Sequence, residues 1–233
     1  MSDDAALAAL LADIRACRVC VDRPAGRPLP HQPRPIIRAS VSARIAICGQ
    51  APGTRVHASG MPFTDPSGDR LRDWMGVTPD EFYDQRRIAI VPMGFCFPGL
   101  DGKGSDLPPR KECAPLWRAR VFEHLPKLEL ILLVGVHAQK WHMGGASRNH
   151  GDGGRTERDD NRTMRDDNRT MHDNNKTMHD TVFNWKLQIN RVGGVPLLPL
   201  PHPSWRNSGW LKRNPWFAQE LLPELRRRVR NLL

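Results

Sequence analysis

Four short apolar runs punctuate an otherwise polar chain, and each is followed by a break and then a helical pattern. Residues 43–48 (ARIAIC), 87–92 (RIAIVP), 128–135 (LELILLVG) and 195–200 (VPLLPL) are short, bounded by turn signals and rich in Ile, Leu and Val, so they predict buried strands. The third is apolar almost throughout, the pattern of a central parallel strand covered on both faces. Elsewhere the spacing shifts toward a 3.6-residue period. Residues 5–17 (AALAALLADIRAC) predict a helix capped by Asp3 or Asp4, and residues 68–75 a helix capped by Asp65. Residues 111–125, 137–142 and 215–232 predict further helices. This alternation predicts an α/β fold: a four-stranded, mainly parallel, doubly wound sheet flanked by helices.

Some connections depart from that rhythm. Residues 22–38 hold five prolines and predict an extended, partly polyproline loop, and residues 93–110 predict a glycine- and proline-rich loop. Between the third and fourth strands run four tandem heptads over 155–182: RTERDDN, RTMRDDN, RTMHDNN and KTMHDTV. One Met per unit at best leaves no second apolar seam for a coiled coil, and the Asp and Asn content opposes helix. The stretch predicts a solvated, disordered, low-complexity insertion at about residues 147–181 of a single domain spanning 1–233, removable without loss of the fold.

Charge and cysteine usage then narrow the partners. A formal charge of +10 and a pI near 10.0 suit a polyanion such as nucleic acid. Asp3 and Asp4 stand where a secretory leader would be basic, and no apolar run approaches the ~20 residues of a membrane span, so a cytoplasmic protein is expected. In that compartment five cysteines favour metal or cluster ligation over disulfides. Cys17 and Cys20 form a C-x-x-C at a helix end, while Cys96 lies in a loop and Cys113 near a helix start. Soft thiolates so placed can converge on one metal centre, although a zinc ribbon would need two close pairs and independent reduced thiols remain the alternative. Cys48, inside a strand, reads as a small buried hydrophobe.

Candidate chemistry gathers at strand ends. The first strand runs into GQAPG at 49–53, a tight turn that lets Gly49, Gln50 and Ala51 bring backbone close to a ligand. The last strand stops on Pro199, Pro201 and Pro203, which hold His202, Ser204, Trp205, Arg206 and Asn207 on a stiff turn. Ligands of open α/β sheets bind at that carboxyl end. Structural roles stand beside the functional ones. Phe63 could be plain core, Asp65 only a helix cap, and Gln50 a partner for loop backbone. The arginines of the last helix could be a solvated face, and Trp210 and Trp216 packing residues.

Taken together and in order, Cys17/Cys20, GQAPG, GMPF at 60–63, Cys96, Cys113 and HPS at 202–204 resemble the uracil-DNA glycosylase superfamily, closest to its iron–sulfur branches, families 4 and 5. The resemblance covers nearly the whole chain outside the heptads. It implies a monofunctional DNA glycosylase that hydrolyses the N-glycosidic bond of uracil or a related deaminated base. It also implies a structural [4Fe–4S] cluster on Cys17, Cys20, Cys96 and Cys113, and single- or double-stranded DNA as the partner of a monomer. His202 would then donate to the carbonyl oxygen of the departing base, Phe63 would stack on it, and the GQAPG turn would place water near C1′. Ser204, Trp205, Arg206 and Asn207 would occupy or flank the hole in the duplex, with Lys212 and Arg213 on phosphates. Two departures matter. Gln50 stands where family 4 proteins usually carry Glu, and Gln cannot serve as a general base, so either Gln50 only orients water or Asp65 or Asp69 substitutes for the missing acid. Pro92 stands where many relatives have a base-reading Asn, which leaves that task to backbone at Met93 and Gly94. Both departures keep a second reading open: a non-catalytic protein that binds damaged or single-stranded DNA.

Overall fold

The computed structural model describes residues 2–143, 177–189 and 194–233. Helix α1 (Asp3–Arg15) buries Leu7, Leu10, Leu11 and Ile14 at helical spacing. Its cap is the Ser2 hydroxyl, not Asp3 or Asp4, which instead sit in the first turn where negative charge suits the helix dipole. The short α2 (Val19–Asp22) carries Cys20. Strand β1 (Ile45–Cys48) leads to α3 (Thr54–Ser59), α4 (Pro66–Met75) and α5 (Pro79–Tyr83) before β2 (Ile88–Ile90). Helix α6 (Cys113–Glu123), β3 (Leu130–Val134) and α7 (Val136–Met143) follow. After them come α8 (Met178–Phe183), α9 (Trp185–Ile189), β4 (Leu197–Leu200), α10 (Ser208–Arg213) and α11 (Leu222–Leu232).

The sheet order is β2-β1-β3-β4 and every pairing is parallel. Alternate strand residues feed two cores, as a period of two requires. Ala46, Cys48, Ala89, Val91, Ile131 and Leu133 pack against α1, α6 and α7. Ile45, Ile47, Ile88, Ile90, Leu132 and Leu200 pack against α4, α5, α8, α9 and α11. Because β1 pairs with β2 on one side and β3 on the other, the chain changes direction across the sheet there. Folds of this kind take ligands at the carboxyl ends of their strands, near such a change of direction.

Three local expectations change. Residues 54–59, where the sequence predicts no helix, form α3 with the extended Gly53 as its cap. The last helix is not uniform over 215–232: a π turn at Phe217–Leu221 precedes α11, where Pro223 has no N–H to return to the preceding turn. The heptads over 155–176 lie outside the described residues. The final unit departs from a solvated loop, because Thr177 and Asp180 close a capping box and start α8, and Val182 is fully buried. The boundary expected at 181 thus falls inside a folded helix.

One buried cation stiffens the floor beneath the strand ends. Arg118 of α6 is 2% exposed and donates to the carbonyls of Val91 (2.9 Å) and Pro92 (3.0 Å), to Cys48 Sγ (3.2 Å) and to His142 Nε2. Burial and the neighbouring guanidinium push His142 down to about 3. Burial also leads the lowering of His57, His137 and His202. The unfolded chain then binds more protons than the native one below the ordinary histidine value of about 6.5. Stability should be undiminished above that pH and fall below it, by about 1.4 kcal/mol per pH unit for His142 alone. Urea midpoints measured from pH 7 down to about 4.5 check this; a flat series contradicts it.

Candidate active site

The cleft opens over the carboxyl ends of β1, β2 and β4. At its floor, the turn after β1 is pinned from the neighbouring strand: Met93 N–H donates to the Gly49 carbonyl (2.9 Å) and Gly94 N–H to the Gln50 carbonyl (3.0 Å). Met93 and Gly94 therefore hold the turn from below and do not line the cleft, whereas Pro92 does. Gly49, Gln50, Ala51 and Gly53 form one wall. The Gln50 amide makes no hydrogen bond to another described residue, so satisfying loop donors is not its role.

Phe63 lies against that turn. A Cβ on Gly49 would meet its ring tip at 3.3 Å, and the ring packs edge-on against Phe82 with centroids 5.8 Å apart. Its backbone is left-handed, φ +57°, the only such non-glycine residue among those described. Three features hold it there. Arg72 Nη1 (3.2 Å) and the Tyr83 hydroxyl (3.1 Å) both donate to the Phe63 carbonyl. Gly68 lets that carbonyl approach so closely that a Cβ at position 68 would stand 1.9 Å from it. Strain retained and braced in this way is typical of functional positions rather than of passive core.

His202 enters from the turn after β4. Gly135 N–H bonds the Leu200 carbonyl (2.9 Å), and Gly135, at φ +85°, leaves room for the imidazole, whose Cβ would lie 3.5 Å from a Cβ there. Asn207 Nδ2 donates to the His202 carbonyl (2.7 Å), and Arg70 reaches from α4 to the Ser204 carbonyl (3.0 Å). These bonds fix the turn and leave the ring facing the cleft. Burial, and secondarily Arg206, lower the His202 pKa against the opposing pull of Asp65. The ring is neutral at pH 7 and presents one N–H donor.

The two acidic candidates part company. Asp65 lines the cleft but also caps α4, with Oδ1 accepting from Ser67 N (3.1 Å), Gly68 N (3.2 Å) and Ser67 Oγ (2.5 Å). Asp69 does not line it; its side chain is 78% exposed and pairs with Arg72 at 2.6 Å. Sequence reasoning missed a third carboxylate. Asp106 lines the cleft beside Gln50, Asp65 and His202. It sits on a small hairpin built by Asp101, whose Oδ1 accepts from Lys103 N and Ser105 N (both 2.8 Å), closed by Leu107 N to the Gly99 carbonyl (2.9 Å). The D-G-x-G spacing of residues 101–104 was the available signal.

Trp205, Arg206 and Asn207 form a 3₁₀ turn at the cleft mouth. Trp205 is 76% exposed, and Arg206 donates to Ser105 Oγ (3.1 Å), joining this turn to the Asp106 hairpin. Lys212 and Arg213 are exposed on α10, beside the mouth rather than in it. Trp210 and Trp216 pack on Phe217, and the last-helix arginines pair with Glu81 and Glu224 or bond the Asp73 carbonyl, so both groups serve the structure.

On the other side of the sheet ends, Cys17, Cys20, Cys96 and Cys113 line one apolar cavity with Ile14, Phe95 and Trp117. Phe95 N–H donates to Cys113 Sγ (3.3 Å). The Arg110–Glu112 pair (2.6 Å) adjoins Cys20 and ties to the Ala25 and Arg27 backbone. Burial pushes Cys96 and Cys113 up to about 12, so they stay protonated unless a cation supplies the missing positive charge. Among the described residues no three His, Cys, Asp or Glu side chains converge tightly enough for a lone metal ion. Four soft sulfurs around one apolar space could hold a centre that takes thiolate donors, an iron–sulfur cluster among them.

A family model described as the uracil DNA glycosylase superfamily matches residues 38–226, well over half of the chain. The match takes in the GQAPG turn, Phe63, Asp106 and His202, and starts after Cys17 and Cys20.

Proposed function

The chain belongs to the uracil DNA glycosylase superfamily, and from that membership we propose that it is a monofunctional DNA glycosylase acting on uracil or a related deaminated base. The observation that carries this reading is the meeting of Gln50, Phe63 and His202 around one cleft, although the turns that bear them lie far apart in sequence. Breaking the bond between base and deoxyribose passes through an oxocarbenium-like sugar, with negative charge growing on the departing base. His202 supplies a neutral N–H donor where that charge develops, and its braced turn needs no reorganisation during reaction. Phe63 offers a flat apolar face to a base swung out of the stack. Gln50 orients water from the opposite wall, with a carboxylate of the cleft as its partner. Trp205 fills the vacated position in the duplex, and Arg206, Lys212 and Arg213 contact phosphates. A monomer acting in the cytoplasm is part of the proposal, the compartment from the acidic N-terminal residues and the cysteine usage of the sequence.

The cofactor is part of the same proposal. A [4Fe–4S] cluster on Cys17, Cys20, Cys96 and Cys113 would cross-link α1, α2, the 93–110 connection and α6 without taking part in bond cleavage. The gathering of these thiols around one cavity, three buried and Cys17 half-buried, and the Phe95 N–H directed at Cys113 support it.

A labelled oligonucleotide with a single uracil tests the activity. Incubation followed by alkali should break the strand at the uracil, faster in single-stranded or mismatched DNA, where flipping costs least. A gel shift without alkali-labile sites, across uracil, hypoxanthine and xanthine substrates, would favour the non-catalytic binding protein instead. Gln50 in place of an acid is the feature that keeps that reading in view.

A further inference from the structure

We propose that Asp106 is the general base of this site, the group that takes a proton from the attacking water. The inference rests on the glycosylase reading and assigns the step that Gln50 cannot perform. Three carboxylates compete. Asp69 lies outside the cleft and is neutralised by Arg72. Asp65 spends one oxygen on three donors at the start of α4, which commits that oxygen to capping the helix and leaves it no lone pair directed at water. Asp106 makes no hydrogen bond to another described residue and faces the same cleft as Gln50 and His202.

Its placement is built. The Asp101-centred hairpin presents it, and Arg206 clips that hairpin to the His202 turn through Ser105. Gly53 at the start of α3 gives it room, since a Cβ there would stand 3.1 Å from Oδ2. The carboxyl thereby comes against the GQAPG turn that holds Gln50. Although Asp106 as a residue is exposed at the mouth, partial burial raises its pKa, Arg206 opposes that, and the like charge of Asp65 adds to it. The charged and titratable groups lining the cavity with it are thus Asp65 from the α4 cap, Arg70 from α4, Arg206 from the 3₁₀ turn, and His202 from the turn after β4.

The step balances without any further reactant. As the C1′–N bond breaks, its electron pair leaves with the base, whose carbonyl oxygen is bonded by His202. A water lone pair forms the new C1′–O bond, one water proton passes to an Asp106 oxygen, and that proton is later lost to solvent. The departing base is protonated from solvent, and the sugar is left as an abasic hydroxyl.

Single-turnover excision of uracil, followed against pH, tests the assignment. The wild-type rate should rise through a limb lying above the ordinary Asp value of about 3.9. Asp106→Asn should lower the plateau about a hundredfold, within the usual range for a lost general base, and abolish the limb while leaving DNA affinity unchanged. Asp106→Ala should recover part of its rate with added formate, which a merely structural role would not permit. Asp65→Asn, which keeps the cap, should move the limb to lower pH. If Asp106→Asn retains the wild-type rate and limb while His202→Ala is impaired, the assignment fails and the glycosylase reading stands. A wild-type profile without a limb also overturns it. A wild-type protein inactive on every deaminated base overturns both.

Discussion

Replacing His202 with alanine should slow uracil excision by about 10²–10³-fold in single turnover, with DNA affinity nearly unchanged. The loss corresponds to about 2.7–4 kcal/mol, the scale on which one oriented donor to a developing oxyanion is worth. The structure gives three reasons to place the effect on the rate rather than on binding. The imidazole is neutral, so it contributes no charge to the attraction of a polyanion. Its turn is fixed from outside the ring, by Asn207 on its own carbonyl, by Arg70 on Ser204 and by Gly135 on Leu200, so alanine leaves the backbone in place. Finally, a donor to the base oxygen gains most when the glycosidic bond is already stretched, which is what separates a rate effect from uniform binding. His202→Gln, which keeps an N–H donor, should recover part of the loss. The pH dependence separates this residue from Asp106. With its pKa lowered by burial, His202 is neutral at pH 7 and gains no charge as pH rises, so His202→Ala should keep the carboxylate limb. Excision at the wild-type rate in His202→Ala would remove the imidazole from the chemistry.

Much of this site was visible in the order of residues, and the reason is geometric. A parallel strand buried on both faces has to be apolar throughout, so β1 and β3 stood out, and whatever follows their carboxyl ends lands on one edge of the sheet. The turns bearing Gln50 and His202 were therefore bound to lie along the same edge once four strands were recognised. Order along the chain says less about which side chains turn inward. Asp65 and Asp69 lie four residues apart, yet one is a cap at the cleft and the other faces solvent, because the cap sits before the helix begins and Asp69 is already on its outer face. Asp106 was hidden for a different reason. A loop dominated by glycine and proline has no period; the D-G-x-G of residues 101–104 signals a turn, but not that the closed hairpin turns Asp106 toward Gly53. The strained Phe63 was likewise invisible: its left-handed backbone depends on Gly68, Arg72 and Tyr83 arriving from α4 and α5. The short helices α3, α5 and α8 fell below the length at which periodicity is readable, although a capping box marks the last two.

The cysteines carry the second large expectation. Wild-type protein prepared without oxygen should be brown and contain iron and acid-labile sulfide, and Cys96→Ser should lose both. The fold argument makes the consequence broad. The four thiols come from the exit of α1, α2, the 93–110 connection and α6, segments that also share an apolar core and are tied at the cavity by the Arg110–Glu112 pair and its bonds to the Ala25 and Arg27 backbone. A polynuclear centre there would act as a multiple cross-link, and on that proposal breaking it should cost about 2–5 kcal/mol, the scale of removing a native covalent staple from a small domain. Left protonated, Cys96 and Cys113 are merely small apolar side chains, since burial holds both near 12. The damage should also reach the cleft. Cys96 opens the connection that continues into the Asp106 hairpin, and Pro30 of the preceding loop packs on Gly99 at its base, where a Cβ would lie 3.2 Å from the proline ring. Cys96→Ser should therefore melt earlier and excise uracil more slowly. It should do so without the altered pH limb expected of Asp106→Asn, because the acid itself is retained. Cys48→Ser is the internal control. Cys48 is buried in β1 against Arg118, outside the cavity, and its replacement should leave iron content intact. Wild-type protein that is colourless and carries a single zinc, or that melts identically after Cys96→Ser, would defeat the cluster and leave the four thiols as ordinary core.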